Sequence, residues 1–448
     1  MSDEKGGATG GRVGGAPKRA FTAQIEADRL FADIEAIAGF SESSPEVGYS
    51  RPTFSEPWRD ARDYVIAQAT AAGALHRIDA AGNVHIRSSE VGWNERVWLS
   101  GSHIDSVPSG GKYDGVMGVV IPLEIIRSQP SLPLELVLFA EEEGTTFGLG
   151  MLGSRSWCGA LGAEELNALH NRHGESYLEA GQKHGVDPAR LAPRAGEAIA
   201  AGVAAGDLFD PSAYHGLVEV HAEQGVSLWK RGKALAVVTR INGRRQIDIE
   251  IGGLANHAGS TFMPDRLDAL AGAAEIVTSI EKLARARDKE LPYTVATVGW
   301  LRVEPNASNV IPGRVRLKVD IRAQEEETLT RLRDEIRGIV EDVVENRALT
   351  ADITQSEGLE PSPLDERVYT ALRNAADRCG IEAPLVPSGA LHDAAILASH
   401  LPTAMLFVAS KDGISHNPLE FSRIDDIRKA AEVVAETVAA SPTGVTDG

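Results

Sequence analysis

Three times in this chain an apolar run of strand length ends abruptly on residues that ionise or hydrogen-bond. RVWLSGSH (96–103) closes on His103, LELVLFAEEEG (134–144) on Glu141, Glu142 and Glu143, and GLVEVHAEQG (216–225) on His221 and Gln224. A run that is apolar at successive positions suits a strand covered on both faces. The first two runs flank VMGVVIPLEII (116–126), an apolar helix candidate, so the order is strand, helix, strand. Such a crossover makes the two strands parallel, and ligands gather at the carboxyl ends of parallel strands in open α/β sheets. The polar residues therefore crowd where a site belongs.

The rest of the chain sorts around this pattern. Residues 22–38 and 57–75 carry helical periodicity, and AAGN (80–83) is a turn signal. Residues 162–213 read as Ala-rich, charged and mostly helical. From about 238 the pattern changes to RQIDIEIGG, a helix near 265–287, YTVATVGWLRVEP, RVRLKVDIRA and a helix across 325–347. That order, β-α-β-β-α, predicts an α+β module with helices on one sheet face. Helix and strand segments resume near 353 and include LPTAMLFVAS and GISHNP (413–418). At 448 residues two domains are expected. The expectation is a tail over 1–21, a discontinuous α/β domain over 22–237 and 353–442, and an inserted smaller α+β domain over 238–352.

SHIDSVPSGGKYDG (102–115) places Asp105 two residues after His103, and Asp114 in a Gly-rich loop. Alternation along an extended segment turns His103 and Asp105 to one side, so Asp105 could fix the imidazole tautomer. The two oxygens of Asp114 suffice to bridge two divalent ions about 3.5–4 Å apart. Three adjacent glutamates at a strand end repel one another unless a cation compensates. One of them could ligate while its neighbour takes a proton from water. His221 and His416 add imidazoles, common ligands for zinc and related ions. Each motif alone has an ordinary reading as a solvated loop, an acidic strand end or a packed histidine. Four together at strand ends point to a metal site.

The blocks GSHIDSVPSGGKYDG, EEEGTTFG with GSR, HAEQG, NHAGST, PNASNVIPG, DIR, SGALHDA and GISHNP occur in this order. In this the chain resembles the hydantoinase/carbamoylase branch of the M20 peptidase superfamily, which includes N-carbamoyl-L-amino-acid hydrolases, allantoate amidohydrolases and β-ureidopropionases. The resemblance spans nearly all of the chain after the tail. It implies a metallopeptidase-like catalytic domain, a mixed sheet flanked by helices, with the insertion acting as lid and dimerisation domain of a homodimer. It implies that Asp114 bridges two divalent ions, that His103 and His221 complete one site, and that Glu143 and His416 complete the other. Glu142 becomes the general base, with Asp105 beside it. The histidine of HAEQG separates this branch from peptidase relatives that use a carboxylate nearby, and favours amidohydrolase chemistry.

Substrate-facing residues implied by the resemblance are His257, Asn309 and Arg322 on the insertion, and Gln224 and Gly389 on the metal domain. The planar fork of Arg322 suits a carboxylate, and His257 and Asn309 suit a carbonyl on its way to an oxyanion. His392 and Asp393 are candidates for supporting the ligands. Three positions depart from the family pattern: Phe262 where proline is usual, Leu391 where glycine is usual, and Thr146 where arginine is common. Phe262 and Leu391 would add bulk near the pocket. His76, His170, His173, His184, His215 and His400 stand outside these motifs and read as structural or surface residues.

Composition excludes other classes. With 45 basic and 64 acidic residues the net charge is -19, which disfavours nucleic acid and anionic membranes as partners. No apolar run approaches the roughly 20 residues of a membrane span. Two cysteines, Cys158 and Cys379, are too few for a disulfide scaffold. The N-terminal stretch lacks the apolar core of a secretory signal, so a cytoplasmic protein is expected. The expected activity is hydrolysis of a carbamoyl or ureido C–N bond in a small carboxylated substrate by two ions of zinc, manganese, cobalt or nickel. Competing readings are an aminoacylase or dipeptidase, and a metal-bound regulatory protein without turnover.

Overall fold

The computed structural model describes residues 24–191 and 209–441. The tail expected over 1–21, residues 192–208 of the Ala-rich segment, and residue 442 lie outside them. Within 162–191 the expected helix appears only as short pieces, Ala163–Ala168, Tyr177–Gly181 and a 3₁₀ turn. Fifteen strands run through the described residues. The first six are β1 (Ala74–Ile78), β2 (Val84–Ser88), β3 (Val97–His103), β4 (Leu134–Phe139), β5 (Tyr214–Ala222) and β6 (Leu235–Ile241). Then come β7 (Gly243–Gly252), β8 (Asn256–His257), β9 (Val295–Glu304), β10 (Val310–Ile311), β11 (Arg314–Ala323) and β12 (Thr350–Leu359). β13 (Ser362–Pro363), β14 (Leu385–Ser388) and β15 (Thr403–Val408) follow.

Pairing sorts them into a nine-stranded mixed sheet in the order β1-β2-β4-β3-β5-β15-β6-β13, with β14 alongside β6. At its centre β4, β3, β5 and β15 run parallel to one another. Every residue of these four strands is buried, which explains their mostly apolar character, with Glu135 and Glu219 as buried exceptions. One face packs on the helices Ala27–Gly39, Glu56–Ala71, Val116–Ser128, Glu366–Arg378 and Ile424–Ala440. Ser55 caps the second of these, accepting the Trp58 N–H at 3.3 Å. Val116–Ser128 carries the chain from β3 to β4 and is buried from Val116 through Ile126. It lies so close to the sheet that a Cβ on Gly118 would stand 2.4 Å from the Val220 carbonyl oxygen. Only glycine fits there, and the N-terminus of this helix is thereby pinned beside the ends of β3 and β5.

The second sheet, β12-β7-β11-β9, is antiparallel throughout. Alternate residues of β7 and β11 are buried, the period of a sheet with one covered face. Ile247, Ile249, Ile251, Val315, Leu317, Val319 and Ile321 pack on the helices Ala269–Glu290 and Glu326–Asn346. Sheet membership moves the expected boundaries at 238 and 353. β6, which spans 238, belongs to the large sheet, and β12 keeps the chain in the small sheet through Leu359. β12 is a polar edge strand, TADITQSEGL, so its pattern offers no apolar alternation to mark it.

Candidate metal centre and substrate cleft

The ends of the four central strands converge. β3 finishes on His103, which pairs in register with Phe139, and β4 then delivers Ala140 to Glu143 just beyond the sheet edge. β5 carries His221, in register with Phe407 of β15, and the loop after β15 brings His416 back over the same edge. Asp114 precedes the buried helix, after which Gly115 turns at φ +65°. A Cβ at Gly115 would lie 2.5 Å from the His103 ring, so this position is reserved for glycine twice over.

Two ligand sets share Asp114. Its Oδ1 lies 3.1 Å from His221 Nε2, and its Oδ2 lies 3.1 Å from His416 Nε2. His103 joins the first pair, and Glu143, whose Oε2 is 3.5 Å from His416 Nε2, joins the second. The backbone fixes two tautomers. His103 Nδ1 lies 2.9 Å from the Asp105 carbonyl and His221 Nδ1 lies 3.1 Å from the Ala222 carbonyl. A carbonyl only accepts, so each Nδ1 carries a proton and Nε2 is the nitrogen left to face Asp114 or an ion.

The electrostatics call for a cation. Burial pushes the Glu142 and Glu143 carboxyls well above the ordinary range, and neighbouring carboxylates push the same way. Against the upward push of burial, hydrogen bonds with His221 and His416 hold Asp114 well below its ordinary value. Glu143 Oε1 is buried without a hydrogen-bond partner. Imidazole nitrogens, a carboxylate with both oxygens facing different histidines and an orphaned carboxylate oxygen form a donor set that fits two divalent ions. A third group, Glu219 with His221 and His392, is also close enough to ligate. There, however, the Glu219 oxygens already accept the Ser102 hydroxyl at 2.9 Å and the Ala394 N–H at 2.8 Å.

Asp105 is placed differently from the expectation. Its carbonyl, not its carboxylate, holds His103, while the carboxylate oxygens accept the backbone N–H groups of Glu142 and Glu143 at 3.3 and 3.1 Å. The paired strand β3 ends at His103, so strand alternation does not fix the direction of the Asp105 side chain. Asp105 thus braces the turn carrying the glutamates. Glu142 Oε2 stands 3.6 Å from His103 Nε2. His392 packs edge-on against His221 with ring centroids 4.4 Å apart, and Asp393 accepts the Ser154 hydroxyl at 2.5 Å.

A cleft of about 530 Å³ opens beside these ligands, lined among others by Glu142, Gln224, Arg244, Arg322 and Leu391. Gln224 donates to Asp114 Oδ2 at 3.0 Å. Arg322 reaches across from β11 and donates to the Gly389 carbonyl at 2.9 Å, so the two sheets meet here. His257 pairs with Val310 on the β8–β10 ladder and Asn309 lies just before β10, its carbonyl accepting the Ala258 N–H at 3.0 Å, but neither lines the cleft. Phe262, 77% exposed, does not line it either, which removes it from the pocket of this chain; Leu391 does line it. Thr146 instead borders a neighbouring cavity of about 410 Å³ and donates its N–H to Glu141.

Several supporting residues lack a motif of their own. Glu420 is buried and accepts the Tyr113 and Asp114 N–H groups at 2.9 and 3.1 Å, cradling the loop that carries Asp114. Burial and the Asp114 charge raise its carboxyl to about 7. The Arg51 guanidinium, lowered by burial to about 10, donates to the Ile104 carbonyl beside His103. Glu141, Gln224 and His416 all adopt positive φ, 57°, 53° and 52°. Such geometry costs of order 1–3 kcal/mol per residue and concentrates at functional sites. The only sequence signal for Glu420 is its place four residues after His416.

A model of the family described as peptidase family M20/M25/M40 matches residues 99–440. The chain is 35% identical over 420 residues to an N-carbamoyl-L-amino acid amidohydrolase of Geobacillus stearothermophilus, covering 92% of this chain and 98% of that protein. It is 32% identical over 396 residues to an allantoate amidohydrolase of Bacillus subtilis (strain 168), covering 87% and 91%. Among solved structures, an amidase of the hydantoinase/carbamoylase family from Burkholderia multivorans aligns with a TM-score of 0.81 at 31% identity, over 93% of this chain and 98% of that one. By these matches the chain belongs to peptidase family M20/M25/M40, in its hydantoinase/carbamoylase branch.

Proposed function

We propose that this hydrolase cleaves the carbamoyl or ureido C–N bond of a small carboxylated substrate, an N-carbamoyl-L-amino acid or an allantoate-like acid, using two divalent ions. The carrying observation is Asp114, whose two oxygens each stand 3.1 Å from a histidine of a different ligand set. His103, Asp114 and His221 would hold one ion, and Asp114, Glu143 and His416 the other, from among zinc, manganese, cobalt or nickel. When bound, such ions polarise a carbonyl and bring water close to ionisation at neutral pH. Glu142 accepts the proton of the attacking water and passes it to the departing nitrogen. Water oxygen adds to the ureido carbon, the bond to the terminal nitrogen breaks, and ammonia leaves. The carboxylated amine then loses carbon dioxide to give the free amine.

Gln224, Gly389 and Arg322 border the place where the substrate would lie, and Arg322 meets its carboxylate. His257 and Asn309 act on the oxyanion when closure of the smaller unit, or a second copy of the chain, brings them to the cleft. Edge strand β9 exposes Val295, Trp300 and Leu301, each 43% accessible, and this supports a homodimer formed through the smaller sheet. Two free thiols fit a reducing, cytoplasmic setting. No helix among the described residues is long and apolar enough to cross a membrane.

The test is a substrate panel on metal-loaded protein. Ammonia release from N-carbamoyl-L-amino acids or allantoate is the expected result. Amine release from N-acetyl amino acids or dipeptides, with the ureido acids inert, would establish the aminoacylase alternative instead.

A further inference from the structure

Two unlike sets of side chains line the cleft. One is ionic and includes Glu142, Arg322 and Arg244, whose Nε donates to Asp320 at 2.6 Å. The other is apolar and includes Met151, Leu359 and Leu391. These three come from separate parts of the chain: just before the helix Leu152–Trp157, the end of β12, and the loop between β14 and the helix Asp393–Leu397. All three nevertheless pack in a single hydrophobic cluster with Trp157 and Leu397, so they form one wall.

Leu391 is held on a pinned loop. Ser388 Oγ accepts the Ala390 N–H at 3.2 Å and lies 2.9 Å from His392 Nε2, while the Gly389 carbonyl accepts from Arg322 at 2.9 Å. The backbone beside the three side chains is already engaged. Met151 N–H donates to the Glu142 carbonyl at 2.9 Å, and the Leu359 carbonyl accepts from Arg245 Nη1 at 2.7 Å. A polar arm laid on this wall, such as the second ureido group of an allantoate-like acid, would lose water without regaining hydrogen bonds. An aliphatic arm would instead take apolar surface out of water on both partners. We propose that Met151, Leu359 and Leu391 form the side-chain subsite of the cleft, that the substrate is an N-carbamoyl-L-amino acid with an apolar side chain, and that Leu391 determines this specificity. The inference rests on the reading of this cleft as the substrate pocket.

The experiment compares kcat/KM for the N-carbamoyl derivatives of L-leucine, its near-isostere L-asparagine, and glycine, on metal-loaded wild type, Leu391→Asn and Leu391→Met. Glycine has no side chain to touch the wall and reports the integrity of the centre. If the protein turns over N-acetyl rather than N-carbamoyl compounds, the matched N-acetyl series is used. The proposed reaction then fails while the leucine-to-asparagine ratio still decides the role of Leu391. Wild type is expected to prefer leucine over asparagine by about 100-fold, and Leu391→Asn to lose about 10-fold of that ratio with the glycine derivative little changed. Leu391→Met keeps volume and apolarity and should keep the ratio. A ratio unchanged in Leu391→Asn would overturn the proposal, as would a wild type that favours the asparagine derivative or allantoate over the leucine derivative. So would equal losses on all three derivatives, which indicate damage to the centre and no side-chain contact.

Discussion

Acid should weaken this protein through one buried cluster remote from the metal ligands. Glu135 on β4 accepts from His85 Nδ1 at 2.8 Å, from Arg87 Nε and from the Tyr214 hydroxyl at 3.1 Å, and is wholly buried. Although burial acts to raise it, contacts with His85 and Arg87 lower this carboxyl from the ordinary 4.5 to about 2. A depressed carboxylate stabilises the fold above its unfolded value and loses that contribution as pH falls towards its folded one. At 1.36 kcal/mol per unit, the shift amounts to about 3 kcal/mol, of which about 2 kcal/mol is gone by pH 3. His85 has the opposite sign. Burial lowers it, but bonds to Asp79 and Glu135 leave it above 6.5, so its contribution is complete below 6.5 and is lost as pH rises through the folded value. The cluster is therefore strongest between about 4.5 and 6.5. Glu135→Gln should cost about 3–5 kcal/mol at pH 6, the scale of breaking a buried ion pair, and about 2 kcal/mol less at pH 3. Urea unfolding of chelator-treated protein, followed by tryptophan fluorescence, measures both, because Trp157 lies 4.8 Å from the His85 ring. A gap between wild type and variant that is the same at pH 6 and pH 3 would refute the assignment of charge to Glu135.

Gly115→Ala should raise the metal dissociation constant about 10–100-fold, because the added Cβ meets His103, a ligand held by its own backbone contact; unchanged affinity in calorimetry would show that His103 moves freely. Glu142→Gln should retain metal by elemental analysis while turnover falls about 10²–10⁴-fold, and full activity would remove Glu142 from the mechanism. Trp300→Glu should convert a dimer to a monomer in light scattering. A wild type that is already monomeric, or a variant that still dimerises, would rule out β9 as the contact.

Some of this molecule is legible from its residues in order, and some is not. The central strands announce themselves because burial on both faces favours apolar residues at successive positions, and their ends are marked where those runs stop at His103, Glu141 and His221. Glu143 follows the end of β4 in the same way, whereas Asp114 and His416 lie in loops and stand out through the blocks GGKYDG and GISHNP. The contact of Asp105 differs from the expected one, since alternation holds only within a paired strand and β3 ends two residues earlier. Arg244 and Asp320 could not be found this way. Their meeting depends on the register of two strands 76 residues apart in sequence. Glu420, Arg51 and His85 are similar cases: a buried polar group is recognisable only once its partners are placed around it. β12 keeps the chain in the smaller sheet to Leu359, which its sparse apolar residues, Ala351, Ile353 and Leu359, do not announce.

The order in which ligands appear along the chain has a consequence for biosynthesis. His103, Asp114 and His221 all precede β7, whereas His416 follows β15, after the whole smaller sheet has been made. During synthesis the first ligand set is complete long before the second exists. β15 also enters the sheet between β5 and β6, so the strand that brings His416 must wedge between two already translated neighbours. The first candidate set can thus assemble on the ribosome, but the second waits for the last strand to be inserted, and a chain interrupted before residue 416 lacks one of its three side chains.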